Sequence, residues 1–190
     1  GGTSGSGGTS GSGGTSGSSG SSGTDGTAGS GGSSGASALT GDNNFCIGYS
    51  AGYDIEGGCN KATYIGNYAG FAMTEYGLGN TAIGYEAQYT NNTSYRNTAI
   101  GYKALYTHNL GGAGNGYNTM IGYQAGDGIT TGANNTGIGT DVAFDVDASN
   151  QMALGYGATT VSTGANTIML GNSSVTDVYM GDDGNAWSQV

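Results

Sequence analysis

NTAIGYEA at Asn80–Ala87, NTAIGYKA at Asn97–Ala104 and NTMIGYQA at Asn118–Ala125 are three copies of one octapeptide, and their reading decides the fold. Working outward from them, an Ile-Gly or Leu-Gly pair recurs eight times, at Ile47-Gly48, Ile65-Gly66, Ile83-Gly84, Ile100-Gly101, Ile121-Gly122, Ile138-Gly139, Leu154-Gly155 and Leu170-Gly171, in steps of 16 to 21 residues. A period of this length marks a stacked-repeat architecture, in which each unit buries its apolar surface only against its neighbours. With 43 glycines, no proline and 8% charged residues in 190, order by repetition suits the chain better than an ordinary globular core.

Within each repeat the residues alternate with period two, as a half-buried strand requires. On that count Ile83, Tyr85 and Ala87 share one face, and Ala82, Gly84 and Glu86 share the other. The expectation is an all-β parallel solenoid of about eight coils over residues 41–190, each coil running strand, turn, strand, turn. Turn-rich stretches such as Gly126–Asn135 and Thr159–Asn166 supply the corners. The structural ladder Ile47, Ile65, Ile83, Ile100, Ile121, Ile138, Leu154 and Leu170 is expected to run through the interior, each side chain worth about 1.5–3 kcal/mol when fully buried. Residues two places after each glycine, such as Ser50, Glu86 and Lys103, are expected in solvent. The small residues Ala82, Ala99, Gly137 and Ala153 are expected to form an outer strip where identical chains approach, closed by cyclic symmetry.

A second period governs residues 1–40. Glycine falls at every third position from Gly2 to Gly35, twelve times without a break. A polyproline-II-like triple helix needs that spacing because only a hydrogen fits at its crowded axis, and at about 3.1 Å per residue the tract would reach about 110 Å. It resembles the collagen-like stalks of bacterial and phage fibres, although no triplet holds proline and only Asp25 is charged. A polyglycine-II-like bundle is the alternative. Thr3, Thr9, Thr15, Thr24 and Thr27 all occupy the outward X position, where they are small solvated side chains or sites for O-linked sugar. A three-chain stalk and a strip of small residues both point to a homotrimer.

At the NTAIGYEA-type repeats the chain resembles the head repeat of YadA-type trimeric autotransporter adhesins, and also tail-fibre proteins of phages. The resemblance covers about four-fifths of the chain. It implies a left-handed parallel β-roll, a trimer and an extracellular place on a cell-surface appendage or virion fibre. Three departures stand out: the repeats are longer than the family's, the second coil reads KATYIGNYA, and Thr140 replaces the tyrosine of its coil. The loop Leu105–Tyr117 is expected to bulge outward.

Composition narrows the partners. A net charge of −10, from 13 acidic and 3 basic residues, repels phosphate backbones and anionic headgroups, so neither nucleic acid nor membrane insertion is expected. Beginning at Gly1, the chain reads as a processed product or a fragment. The sole histidine, His108, falls in a loop with no nucleophile at a recognisable spacing, so the chain is not expected to be an enzyme or to hold a cofactor. Asp141, Asp145, Asp147 and Asn150 lack the spacing of a calcium loop and read as solvated turn acids.

Tyr49, Tyr85, Tyr102, Tyr123 and Tyr156 hold one position in their coils and are expected to stack, while the loop tyrosines Tyr89, Tyr95, Tyr106 and Tyr117 are candidate contacts for sugars or proteins. Cys46 and Cys59 fit either a disulfide stapling the first coil or two buried thiols. The functional expectation is a structural subunit of an extracellular homotrimeric fibre that polymerises with itself. The alternative is a phage tail fibre or adhesin head that binds host-surface glycans or proteins.

Overall fold

The computed structural model describes residues 43–53, 61–72, 78–90, 93–109, 114–147, 149–160 and 165–176. The Gly-X-Y tract with its five threonines, and Cys59, lie outside them. Eight strands make one all-parallel sheet: β1 (Phe45–Ile47), β2 (Thr63–Ile65), β3 (Thr81–Ile83), β5 (Thr98–Ile100), β7 (Thr119–Ile121), β8 (Thr136–Ile138), β9 (Met152–Leu154) and β10 (Ile168–Leu170) pair in that order. A smaller parallel pair, β4 (Ser94–Tyr95) with β6 (Gly114–Asn115), lies in the intervening chain. The chain thus winds as a parallel β-solenoid of about six turns, with no helix among the described residues.

Register is one-to-one throughout. Thr63, Thr81, Thr98, Thr119 and Thr136 stand in line, and so do the aliphatic residues from Ile47 to Leu170. The side on which that aliphatic line lies corrects the sequence reading. The mid-strand residues Cys46, Tyr64, Ala82, Ala99, Met120, Gly137 and Ala153 face the interior and are buried, whereas Ile138 is 43% exposed and Leu170 39%. Ile47 is exposed as well, and Ile65, Ile83, Ile100, Ile121 and Leu154 are half-buried. The strip of small residues is therefore inside and the Ile/Leu ladder outside.

The reason lies at the corner after each strand. Gly84 and Gly101 have φ of +135° and +136°, a conformation closed to residues with a Cβ. A Cβ on Gly84 would also fall on the carbonyl oxygen of Gly101, and one on Gly101 on that of Gly122. The chain bends there, so the period-two count cannot be carried through the glycine. Ala87 is buried although Ile83, four residues earlier, points out. Two places after the glycine the backbone turns again in the left-handed region, at Ser50, Tyr68, Glu86, Lys103, Gln124 and Asp141, all with φ between 50° and 59°. Of these, Ser50 is buried and only Asp141 is exposed, so this corner is more sheltered than a solvated position.

The interior is thin and filled by compensation of volume. In the second coil the mid-strand residue is Tyr64, and a Cβ on Gly70 would meet its ring at 2.5 Å. In the fifth it is Met120, and Gly126 leaves the room, a Cβ there lying 2.6 Å from the sulfur. Where the mid-strand residue is Ala82 or Ala99, the corresponding corner carries Gln88 and Leu105, both wholly buried. Beside Gly137, a Cβ would strike the Met120 sulfur at 2.7 Å and the Phe144 ring at 2.8 Å. Large and small thus compensate one another in these coils so that close packing holds.

A ladder of amides closes the opposite corner. The backbone N–H groups of Ala62, Asn97, Asn118, Asn135 and Gln151 donate to Oδ1 of Asn44, Asn80, Asn97, Asn118 and Asn135, at 2.9–3.0 Å. Each buried amide therefore satisfies the next coil's main chain, as buried polar groups must be satisfied.

Candidate functional site

Two surfaces on this scaffold stand out. The first is the outer face of the sheet, where each strand presents its first and third residues: Thr63 and Ile65, Thr81 and Ile83, Thr98 and Ile100, Thr119 and Ile121, Thr136 and Ile138, then Met152 with Leu154 and Ile168 with Leu170. No strand residue on this face carries a charge. Parallel sheets are ordinarily covered on both faces, and here one face meets the solenoid interior while the other is open. The groove over the last coils, about 270 Å³, is lined by Asn134, Thr136, Asn150, Gln151, Met152, Asn166, Thr167 and Ile168.

The second surface is an aromatic corner of two columns. In the outer column, Tyr85, Tyr102 and Tyr123 stack with ring centroids 5.4 and 5.1 Å apart and planes within 10°. In the inner column, Tyr53, Phe71, Tyr89 and Tyr106 stack at 5.2, 4.9 and 5.2 Å. Tyr68 meets Tyr49, Phe71, Tyr85 and Tyr89 edge to face. Lys103 Nζ lies 5.5 Å from the Tyr102 ring centre and 5.1 Å from that of Tyr106, and it pairs with Glu86 at 3.4 Å. The Glu86 carboxylate beside it raises the Lys103 pKa.

The structure divides the four loop tyrosines singled out in the sequence into two pairs. Tyr89 and Tyr106 are half-buried members of the inner column, so their ring faces meet other rings. Tyr95 and Tyr117 are joined elsewhere, where the Tyr117 N–H donates to the Tyr95 carbonyl and Arg96 donates to the Tyr117 hydroxyl at 2.9 Å. Of the expected tyrosine ladder, Tyr85, Tyr102 and Tyr123 stack, while Tyr156, 69% exposed, has no ring partner among the described residues. The inner column went unread in the sequence. Its signal was an aromatic residue five places after the glycine in four successive coils, at Tyr53, Phe71, Tyr89 and Tyr106. The amide ladder had a comparable signal, an asparagine four places before the glycine.

The titratable groups in the interior serve the stack. His108 is wholly buried, with Nδ1 2.7 Å from Ser94 Oγ and Nε2 2.8 Å from the Gly132 carbonyl. A neutral ring protonated at Nε2 donates to that carbonyl and accepts from the serine. Ser94 Oγ in turn accepts from Asn97 Nδ2, and Asn118 Nδ2 shares the Gly132 carbonyl. Burial lowers the His108 pKa, partly offset by the bond to Gly132. With both groups out of reach of solvent, the Ser94–His108 pair ties loop to coil. Cys46 is a free thiol inside the first coil, its pKa pushed up to about 12 by burial. Among the described residues no three His, Cys, Asp or Glu side chains are grouped to hold a metal ion, and no helix is long and apolar enough to cross a membrane. Compared with models of known protein families, with curated proteins and with solved structures, the chain matched none.

Proposed function

We propose that this chain is a structural subunit of an extracellular homotrimeric fibre, in which three β-solenoids pack their outer sheet faces around a common axis. The observation that carries the reading is the uncovered, uncharged outer face, with its Ile/Leu ladder in register over eight strands and its Thr ladder over five. A parallel sheet open on one side calls for a cover, and identical flat faces supply one another. Trimeric stoichiometry is supported by the Gly-X-Y period of residues 1–40, which suits a three-chain stalk. The strip of small residues no longer serves as that argument, because those residues are interior. On this reading the roll comprises eight left-handed coils as in YadA-type heads, the stalk extends the fibre, and copies associate end to end.

Native mass of the purified chain tests the proposal. A species at three times the 18.6 kDa chain mass is expected. The double variant Ile83→Glu and Ile121→Glu, both half-buried outer-face positions, should return it to single chains with the solenoid intact by circular dichroism. A monomer at every concentration would overturn it, and trimers that never join end to end under the electron microscope would remove the polymer. A second reading, a phage fibre or adhesin head recognising surface glycans, draws on the exposed tyrosines of the aromatic corner. Glycan binding that disappears in Tyr85→Ala would favour it.

A further inference from the structure

Tyr85, Tyr102 and Tyr123 hold the same corner of three successive coils, and the scaffold pins their backbones. The strands just before them pair in register, the Lys103 N–H donates to the Tyr85 carbonyl at 2.9 Å, and the Gln124 N–H donates to the Tyr102 carbonyl at 2.8 Å. Their ring faces lie against one another, yet the residues remain 42%, 39% and 48% exposed, so the column is open to solvent. Each ring turns on a broad terminal torsion, which lets neighbouring ring carbons approach while the backbones stay in place.

We propose that this column is a site of oxidative phenol coupling, in which a peroxide acting through a haem peroxidase joins Tyr102 to Tyr85 or Tyr123 as an intrachain dityrosine. Each phenol gives up one electron and its hydroxyl proton. The two phenoxyl radicals then form one carbon–carbon bond between positions ortho to oxygen, and the two ortho hydrogens move to the oxygens as protons, restoring both phenols. The pair has lost two electrons and two protons, which reduce one hydrogen peroxide to two waters. The bond staples adjacent coils covalently at the corner, outside the hydrogen-bonded sheet. Its basis is coil register, so it stands whether or not the chains form trimers.

Geometry and exposure together select the site. Tyr156 is the most exposed tyrosine among the described residues but has no ring partner there, since Thr140 stands at the matching place in the preceding coil. In the inner column Phe71, which has no phenol, separates Tyr53 from Tyr89, and the remaining stacked pair, Tyr89 with Tyr106, is half-buried where Tyr85, Tyr102 and Tyr123 are exposed.

Treating the full chain with hydrogen peroxide and a haem peroxidase tests the proposal, with dityrosine fluorescence, denaturing electrophoresis and peptide mapping as readouts. The expected product runs at single-chain mass, is fluorescent, and carries the link at Tyr102. Tyr102→Phe keeps the stacked ring and removes the phenol, so it should abolish most of the single-chain fluorescence, whereas Tyr156→Phe should leave it unchanged. Undiminished fluorescence in Tyr102→Phe, linkage mapping to Tyr156, or a product found only as joined chains would overturn the assignment.

Discussion

The middle coils, around β3, β5 and β7, and the last ones, around β8, β9 and β10, share strand register but not their side-chain ladders. In the middle coils buried asparagines succeed one another and three tyrosines stack. In the last coils the amide position passes from Asn135 to Gln151 and Thr167, the tyrosine position holds Thr140 and Tyr156 without stacking, and the end residue of the corner, Gly171, has φ of 71° instead of about +140°. Register nevertheless continues one-to-one through β8, β9 and β10. The strand pairing and the glycine corner carry the coil, and the ladders of amides and rings reinforce it.

The sharpest way to break that comparison is at the glycine corner. Gly101→Ala puts a Cβ on a main-chain carbonyl at φ +136°, and we expect a loss of about 3 kcal/mol or more in urea unfolding. Gly171→Ala, at φ 71° against only the Val175 side chain, should cost about 1 kcal/mol by the same measurement. Equal costs at the two sites would show that the corner is not what holds the middle coils.

The amide ladder comes next. Asn118→Ala removes the acceptor for the Asn135 N–H and a donor to Gly132, so about 2 kcal/mol should be lost in the same assay. A negligible change would mean that water replaces the amide. Smaller, and opposite in sign, is Gln88→Leu. The Gln88 amide is wholly buried and neither of its polar atoms has a hydrogen-bond partner among the described residues, while the next coil carries Leu105 at that corner. Relieving the unmade bonds should add about 1 kcal/mol, read as a rise of a few degrees in Tm.

The gentlest perturbation is pH. Because burial lowers the His108 pKa, the unfolded chain binds the proton more readily than the folded one. Stability should be level above the ordinary histidine value of about 6.5 and decline as pH falls below it. Urea midpoints measured across that window should show the slope in the wild type and lose it in His108→Asn. An unchanged slope in the variant would place the titrating group elsewhere.

Much of this was legible in the residues. The recurring Ile-Gly pair marked the strands and their parallel stacking, since only a repeat in register puts the same residue type at the same point of successive coils. What failed was the assignment of sides. Alternation reads Ile83 and Ala87 as one face, but the bend at Gly84 puts them on opposite sides of the sheet wall. The inner aromatic column was missed for a related reason. Phe71 and Tyr89 lie beyond two corners from their strands, where a period-two count has no meaning.

By itself the sequence determined that the chain repeats, where each strand ends and that a glycine follows it; from Gly48 to Gly139 no residue with a Cβ tolerates both the dihedral angle and the neighbouring carbonyl. Only the tertiary structure decided which ladder is inside. The solenoid is so thin that a large interior side chain such as Tyr64 or Met120 needs a glycine on the facing corner, Gly70 or Gly126, and that sum of volumes exists only once the coil has closed.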